Sequence, residues 1–217
     1  MQAGTVVGNL ASAIAVQSGE AALVADLKAG SEEAFALLVA LYHQPLYSVI
    51  ARSLNDPSDA ADITQEVFLK VFRGIQGFHG EASLKTWLYR IALHEAANRR
   101  RWWSRHKRQE LTIDSSAAGE SDDADDAHCL RDTLADGARS PYDCAAAQET
   151  KTQVEEALRK LPENFRTVVI LREIEGFAYD EIAEILNINI GTVKSRLLRG
   201  RAALKGYLFA AAQGVAR

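Results

Sequence analysis

Cysteine is scarce in this sequence, since its 217 residues contain only Cys129 and Cys144. Two cysteines are too few for the disulfide framework of a small secreted protein, and a disulfide is not expected in a cytosolic one. Together with His128 they would offer three metal ligands, but their spacing matches no zinc pattern. The sequence therefore predicts no metal site and no other cofactor.

Long hydrophobic runs are missing as well. Hydrophobic residues make up 47% of the chain, which is enough for a packed core. No apolar run approaches the roughly 20 residues that cross a bilayer. Residues 1–20 lack the basic segment of a signal peptide, and we interpret them as a disordered tail or a frayed first helix. A cytoplasmic protein without membrane insertion is expected.

Groups that would carry out a reaction are also lacking. The sequence contains no recognisable nucleophile–base pair and no phosphate-binding glycine loop. His94 and Glu95 are adjacent, but no further ligands accompany them. A hydrolytic nucleic-acid enzyme would need converging carboxylates or metal ligands, so a protein without enzymatic activity is expected.

The charge of the chain is unevenly distributed. The formal net charge is -4, but eight of the 29 acids lie between Asp114 and Asp136, where Arg131 is the one base. The rest of the chain has 21 acids and 24 bases. A mildly basic folded part with an acidic linker is typical of an anion-binding protein.

Helical periodicity runs through almost the whole sequence and disappears at 106–149, where Ser, Ala, Gly and Asp dominate. The predicted fold is all-α, with two small helical domains at 21–105 and 150–210 joined by a flexible acidic linker at 106–149. Helices are predicted to resume at Thr150.

Local signals mark the helix ends of the first domain. Gly30 is predicted to stop one helix and Ser31 to cap the next. Ser58 and Ser83 are predicted to cap two further helices. Pro45 is expected to kink or end the helix that contains it.

The segment from Tyr179 to Arg201 predicts two short helices joined by a tight turn. Its second helix carries five cations and no acid between Gly191 and Leu208. An apolar stripe that begins at Val193 leaves an outward face made of Thr192, Ser195, Arg196 and Arg199. A solvated basic helix would have the same charge, but the helix-turn-helix context favours insertion into a DNA major groove.

Two further surfaces are predicted on the first domain. Asp62 and Glu66 lie four residues apart on one helix face, where like charges cost a few tenths of a kcal/mol. That face is either a solvated patch or a docking face for a basic partner. The helix after Ser83 alternates cations with aromatic residues, which suits unstacked bases, although Trp87 also fits a core position.

Five blocks in chain order make the sequence similar to the extracytoplasmic-function (ECF) sigma factors, two-domain members of the sigma-70 family. The blocks are 62–68, 78–92, 161–166, 171–176 and 191–196. The resemblance implies a subunit that binds core RNA polymerase, recognises promoter DNA and assists strand opening. It also makes an anti-sigma factor a candidate partner. The alternative is a free-standing helix-turn-helix regulator, which would need a sensor or dimerisation domain in its first half.

The resemblance also implies roles for individual residues. Contacts with core RNA polymerase fall to Asp62, Gln65, Glu66 and Phe68. Contacts with the minus-ten promoter DNA, including a flipped base and the melted non-template strand, fall to Phe78, His79, Arg90, His94 and Asn98, and the aromatic–basic pattern of the helix adds Trp87 and Arg101. Contacts with the duplex minus-thirty-five element fall to Lys194, Ser195, Arg196 and Arg199, and the outward face of the second helix adds Thr192.

Three positions depart from the family pattern. His94 stands where many relatives have Asn, which affects the expected base preference. Ala178 replaces a capping Ser or Thr, a loss of about 1 kcal/mol unless another group compensates. Asn189 replaces a frequent Pro before the second helix of the motif.

Overall fold

A computed structural model describes residues 19–54, 57–110 and 141–214. Helices and turns, without strands, make up these ranges, which confirms the all-α prediction. The helices are 19–28 (α1), Glu32–Ser53 (α2), Ala60–Gly74 (α3), Leu84–Glu110 (α4), Pro141–Lys160 (α5), Glu163–Val169 (α6), Tyr179–Leu186 (α7) and Ile190–Gly214 (α8). Cys129 and the acidic run 114–136 lie outside the described residues.

Helices α1 to α4 form the N-terminal domain, and two predicted caps are confirmed there. Gly30 ends the turn after α1 with φ 81°, and the Ser31 hydroxyl accepts a hydrogen bond from the Ala34 amide at 3.2 Å. The Ser83 hydroxyl accepts one from the Thr86 amide at 3.0 Å. The core between these helices includes the buried side chains of Leu38, Val49, Ile50, Ile63, Val67, Val71, Leu84, Leu88 and Ala92.

In this domain the predicted Ser58 cap was wrong, and of the two effects predicted for Pro45 the helix end does not occur. Pro45 does not end α2, which continues to Ser53. Ser58 lies inside a short 3-10 turn, and Asp59 occupies the N-cap position of α3. The Asp59 carboxylate does not cap the helix because it accepts a hydrogen bond from the Trp103 indole at 2.6 Å.

Helix α2 is, by length and composition, the one helix in the described ranges that could cross a membrane. It begins with the acidic residues Glu32 and Glu33. Leu38, Leu46 and Val49 are completely buried against the rest of the N-terminal domain. We therefore interpret α2 as a core helix of that domain.

The helices extend into the range predicted as a linker. Helix α4 continues to Glu110, and α5 begins at Pro141 rather than at Thr150. Proline is favoured at the first helical position because its fixed φ matches the helix and its missing amide has no partner there. Three alanines at 145–147 then favour continuation.

Helices α5 to α8 build the C-terminal domain, and the helix-turn-helix prediction is confirmed. Asn187, with φ 51°, turns the chain after α7. Asn189 starts α8, because its side-chain oxygen accepts from the Gly191 amide at 2.7 Å and its carbonyl accepts from the Val193 amide at 3.1 Å. Val193 and Leu197 are buried, as the apolar stripe predicted.

Helix α8 crosses α6 at a glycine. An added Cβ at Gly200 would lie 2.7 Å from Cγ2 of Val169 and 3.4 Å from the carbonyl oxygen of Phe165. Real Cβ atoms essentially never approach another heavy atom within 3.0 Å. The hydrogen at this position is therefore what lets α8 pack closely on α6.

The two domains pack against each other and share a continuous core. Helix α4 lies against α7, and α2 contacts α5 and α6. The Tyr89 and Phe177 rings meet edge to face with centroids 4.8 Å apart. The Arg52 guanidinium pairs with the Glu155 carboxylate at 2.8 Å. The faces of α4 and of the helix-turn-helix are therefore close together.

Candidate polymerase and nucleic-acid interfaces

An apolar groove of about 620 Å³ runs between α2 and α3. Gln65 and Phe68, two of the predicted polymerase contacts, line it. Leu69 and Phe72 also line it, and they are 53% and 59% exposed. The Phe72 ring packs edge to face on Phe35 at 4.8 Å. Large apolar side chains that stay in water on a rigid helix are typical of a protein-docking surface.

Sequence reasoning missed Leu69 and Phe72, although a signal was present. The core face of α3 needs Ile63, Val67 and Val71, all of which are buried. Leu69 and Phe72 are two further large apolar residues of α3, and they lie outside this buried face. More large apolar residues than one buried helical stripe can hold were therefore the sequence signal for a second apolar surface on α3.

Asp62 and Glu66 are both exposed beside this groove, as predicted. Lys70 lies 3.6 Å from the Glu66 carboxylate and 2.5 Å from that of Glu95. The hydrogen bond to Glu95 raises the pKa of Lys70 above its usual value. Burial acts to raise the pKa of Glu95, but the bonds from Lys70 and His94 outweigh it and hold that pKa low. This cation offsets the repulsion predicted between the two acids.

The predicted base-capturing loop is only partly exposed. Phe78 is 6% exposed, and its ring lies 5.3 Å from that of Trp87, which is half-buried. His79 is exposed. The Phe78 side chain therefore supports the loop and Trp87 from inside and does not itself present a ring to a base in this structure.

The structure brings together the four predicted strand contacts of α4. Asn98 lies 3.1 Å from the His94 ring nitrogen Nδ1, and Arg101 donates to the Asn98 oxygen at 2.6 Å. Arg90, one turn before His94, donates to the Glu184 carboxylate of α7 at 2.6 Å. The result is a continuous polar face whose first cation is already paired with the C-terminal domain.

The predicted minus-thirty-five residues divide into two groups on α8. Lys194, Ser195 and Arg199 are exposed, and Thr192 is half-buried with its carbonyl accepting from the Ser195 hydroxyl at 3.0 Å. Arg196 is half-buried and lines a cleft between the two domains. Of the predicted minus-thirty-five contacts, Lys194, Ser195 and Arg199 are therefore open to solvent. Arg196 instead lies between the two domains.

Two departures from the family pattern lie where the helices of the motif begin. Ala178 has no side-chain oxygen to cap α7; its amide donates to the Glu181 carboxylate at 2.8 Å, which does not replace the missing acceptor. Asn189 supplies an acceptor that proline at this position would lack. The start of α8 is therefore held by a side-chain hydrogen bond that the sequence comparison did not predict.

Comparison with known proteins identifies the family. The model of Sigma-70 region 2 matches residues 38–108, and that of Sigma-70, region 4 matches residues 151–204. The RNA polymerase sigma-H factor of Pseudomonas aeruginosa is 34% identical over 87% of this chain and 93% of the relative. The ECF sigma factor SigW of Bacillus subtilis is likewise 34% identical, over 85% of this chain and 94% of SigW. The chain belongs to the ECF sigma factors of the sigma-70 family.

Solved structures agree with this ECF sigma factor fold. CnrH in complex with the cytosolic domain of CnrY gives a TM-score of 0.61 at 22% identity, covering 88% of this chain and 97% of CnrH. RpoE from Bartonella quintana, in complex with the anti-sigma factor NepR, gives 0.60 at 22%, covering 80% and 96%. The first half of the chain matches a sigma region, not a sensor or dimerisation domain. The protein is therefore an RNA polymerase sigma factor, not a free-standing regulator.

Proposed function

We propose that this sigma factor binds core RNA polymerase through the groove between α2 and α3, and promoter DNA through α4 and α8. The observation that carries the polymerase assignment is the pair Leu69 and Phe72, exposed on a rigid helix next to Asp62 and Glu66. An apolar centre with charge at its rim is how protein–protein interfaces are usually built. Gln65 and Phe68, inside the groove, complete the proposed contact.

Helix α4 is proposed to hold the melted minus-ten strand. Its outward face carries Arg90, His94, Asn98 and Arg101, and Trp87 lies closer to the loop. Cations for phosphate beside polar and aromatic groups for bases suit single-stranded DNA. His79 is the exposed loop residue proposed to meet the flipped base, while Phe78 supports the loop from below.

Helix α8 is proposed to read the duplex minus-thirty-five element. Lys194 and Arg199 are exposed on its outward side, and the buried Val193 and Leu197 fix the opposite side. Such a helix fits a major groove, with Ser195 and Arg196 near base edges and the other cations near phosphate. Thr192, at the start of the helix, completes the proposed reading face.

The remaining properties follow from this role. The proposed domains are 21–105 and 150–210, and the connecting segment 106–149 has helical ends. The protein is proposed to work in the cytoplasm, where transcription takes place, and without enzymatic chemistry of its own. An anti-sigma factor is a proposed partner, because RpoE, which has the same fold, is seen in complex with the anti-sigma factor NepR.

The test is titration of the purified chain against core RNA polymerase, with complex formation followed on native gels. We expect a one-to-one complex that is weakened strongly by the double change Leu69→Ala and Phe72→Ala. The matched control is Leu37→Ala with Leu41→Ala, which removes two leucines of similar exposure (50% and 54%) outside the groove. The control should bind like the parent.

A charge variant tests the acidic residues beside the groove separately from the apolar residues that line it. Reversal of both Asp62 and Glu66 to lysine should weaken the complex and leave the helical content unchanged, because both side chains are exposed. Equal affinity in all variants would remove the docking assignment. No complex with core polymerase, together with specific duplex binding by the chain alone, would overturn the proposed function.

A further inference from the structure

Two side chains of α4 contact the same ring nitrogen of His94. Its Nδ1 atom lies 3.2 Å from Oε1 of Glu95 and 3.1 Å from Nδ2 of Asn98. The Asn98 amide oxygen accepts from the Arg101 guanidinium at 2.6 Å, so the NH2 group of this amide faces the imidazole. A carboxylate only accepts hydrogen bonds, and an NH2 group only donates them. Nδ1 therefore donates to Glu95 when it carries a hydrogen and accepts from Asn98 when it does not.

The partner of Nδ1 decides what the other ring nitrogen of His94 offers to DNA. A neutral imidazole carries one hydrogen, so a hydrogen on Nδ1 makes Nε2 an acceptor, and its absence from Nδ1 makes Nε2 a donor. The His94 side chain is 65% exposed on the proposed strand-binding face of α4. Nε2 has no hydrogen-bond partner among the described residues. The tautomer of His94 therefore sets which base edge this nitrogen can recognise.

The Glu95 carboxylate is held in place from a second helix. Its Oε2 atom lies 2.5 Å from the Lys70 ammonium of α3, and the Glu95 side chain is only 13% exposed. Oε1 remains directed to the His94 ring. A hydrogen bond to an ionised carboxylate is about twice as strong as one between neutral groups. The bond from Nδ1 to Glu95 is therefore favoured over the bond that the neutral Asn98 amide donates.

We propose that Glu95 is a positioning residue for promoter recognition, which holds His94 as the Nδ1–H tautomer and presents Nε2 to the melted strand as an acceptor. The inference rests on the proposed function, since it takes α4 to be the strand-binding helix. An acceptor matches the exocyclic amino group of adenine or cytosine. Guanine and thymine have a carbonyl oxygen at the corresponding place, which Nε2 would repel.

The variant Glu95→Gln reverses the tautomer by a simple constraint. The Lys70 ammonium is a donor only, so it takes the oxygen of the new amide. The NH2 group of that amide then faces His94, and Nδ1 has a donor on both sides. We therefore expect His94 in this variant to carry its hydrogen on Nε2, which becomes a donor and favours guanine or thymine.

The tautomer is measured in the full chain by long-range proton–nitrogen correlation spectra, in which protonated and unprotonated ring nitrogens have well-separated shifts. The spectra are recorded at about pH 8, where an ordinary histidine is neutral. The chain has five histidines, and the His94 signals are those missing from His94→Asn. We expect Nδ1–H in the parent and Nε2–H in Glu95→Gln.

Asp26→Asn is the matched control for these spectra. Asp26 is an exposed acid of α1 in the same domain, and its side chain has no partner among the described residues. This variant changes the net charge by the same amount as Glu95→Gln and should keep the Nδ1–H form. A parent in the Nε2–H form, or a Glu95→Gln variant with the tautomer of the parent, would overturn the inference.

A second variant tests the part played by Lys70. Lys70 is 40% exposed, so Lys70→Met leaves no cavity in the core. When it is combined with Glu95→Gln, no ammonium fixes the new amide, whose oxygen can then turn to His94. We expect the double variant to recover part of the Nδ1–H form, which a merely structural disturbance would not do. A double variant that stays fully in the Nε2–H form would refute the anchoring of this contact by Lys70.

The effect on base preference is measured with the sigma factor bound to core RNA polymerase. The probe is a random pool of single-stranded DNA of about 12 nucleotides at about pH 8, and the bound fraction is sequenced with core polymerase alone as background. The parent and Asp26→Asn should enrich adenine or cytosine at one position. Glu95→Gln should shift that position towards guanine or thymine by about two- to tenfold, the effect of one hydrogen bond.

The two measurements separate the inference from the proposed function. The same base preference in the parent and in Glu95→Gln would overturn the role of Glu95 in recognition. No enrichment over core polymerase alone would instead refute strand binding by α4, and the spectra would still decide the tautomer of His94.

Discussion

The variant Gly200→Ala tests how closely α8, the second helix of the helix-turn-helix, packs on α6. Replacement by alanine has two opposing effects inside α8. Alanine is about 1 kcal/mol more favourable than glycine in a helix interior. However, the added methyl group would lie 2.7 Å from Cγ2 of Val169, a side chain that is 1% exposed.

The size of the net effect follows from these contacts. Overpacking of a well-packed core costs about 1–3 kcal/mol. The carbonyl oxygen and Cβ of Phe165, each 3.4 Å from the added methyl group, restrict a sideways shift of α8. We therefore expect the upper part of that range, so that Gly200→Ala lowers the free energy of unfolding by about 1–2 kcal/mol after the helix gain is included.

The assay is guanidinium unfolding followed by circular dichroism, with Gly206→Ala as the matched control. Gly206 lies on the same helix and an added Cβ meets nothing within 4 Å there, so this variant should be stabilised by up to about 1 kcal/mol. In Gly200→Ala with Val169→Ala, the costs should be less than additive, because the second change removes the clash. Equal stabilisation by alanine at both glycines would refute the close packing of α6 and α8.

Three further outcomes are expected. Arg166→Met should lower the free energy of unfolding by about 2 kcal/mol in denaturant titrations, because the buried guanidinium donates to the carbonyls of Leu161 and Arg159, both at 3.1 Å. Glu95→Gln should reduce stability at neutral pH. Since folding lowers the pKa of Glu95, its contribution is present above the unfolded pKa and disappears as pH falls through the folded value, so variant and parent should converge in acid unfolding curves at pH values below that folded pKa. Arg199→Ala should weaken duplex binding uniformly across promoter variants and reduce its salt dependence if the guanidinium contacts phosphate, whereas a loss confined to one base pair would indicate base reading.

Periodicity and capping residues were enough to predict the presence of most helices, but not how far α4 and α5 extend. The apolar stripe of α8 and the caps at Ser31 and Ser83 depend on interactions within a few residues, which a sequence shows directly. Asp59 is an example of a contact that local sequence does not indicate. Its carboxylate is drawn to Trp103, a residue on another helix, and such a competitor is invisible in a local pattern.

The candidate sites were only partly predictable for the same reason. Lys70 could be placed beside Glu66 by helical spacing, but its shorter contact with Glu95 of α4 depends on tertiary packing. The burial of Phe78 against Trp87 depends on how the loop folds back on α4. The pairing of Arg90 with Glu184 joins residues of different domains, and no local signal indicates it.

The position of Arg196 in the cleft has a thermodynamic consequence for promoter search. If promoter binding requires the two domains to separate, the cost of separation is met once for both proposed DNA-reading helices, α4 and α8. Occupation of one promoter element would then raise the affinity for the other, and the coupling would be the same in both directions. The two halves of a promoter would thus be recognised cooperatively.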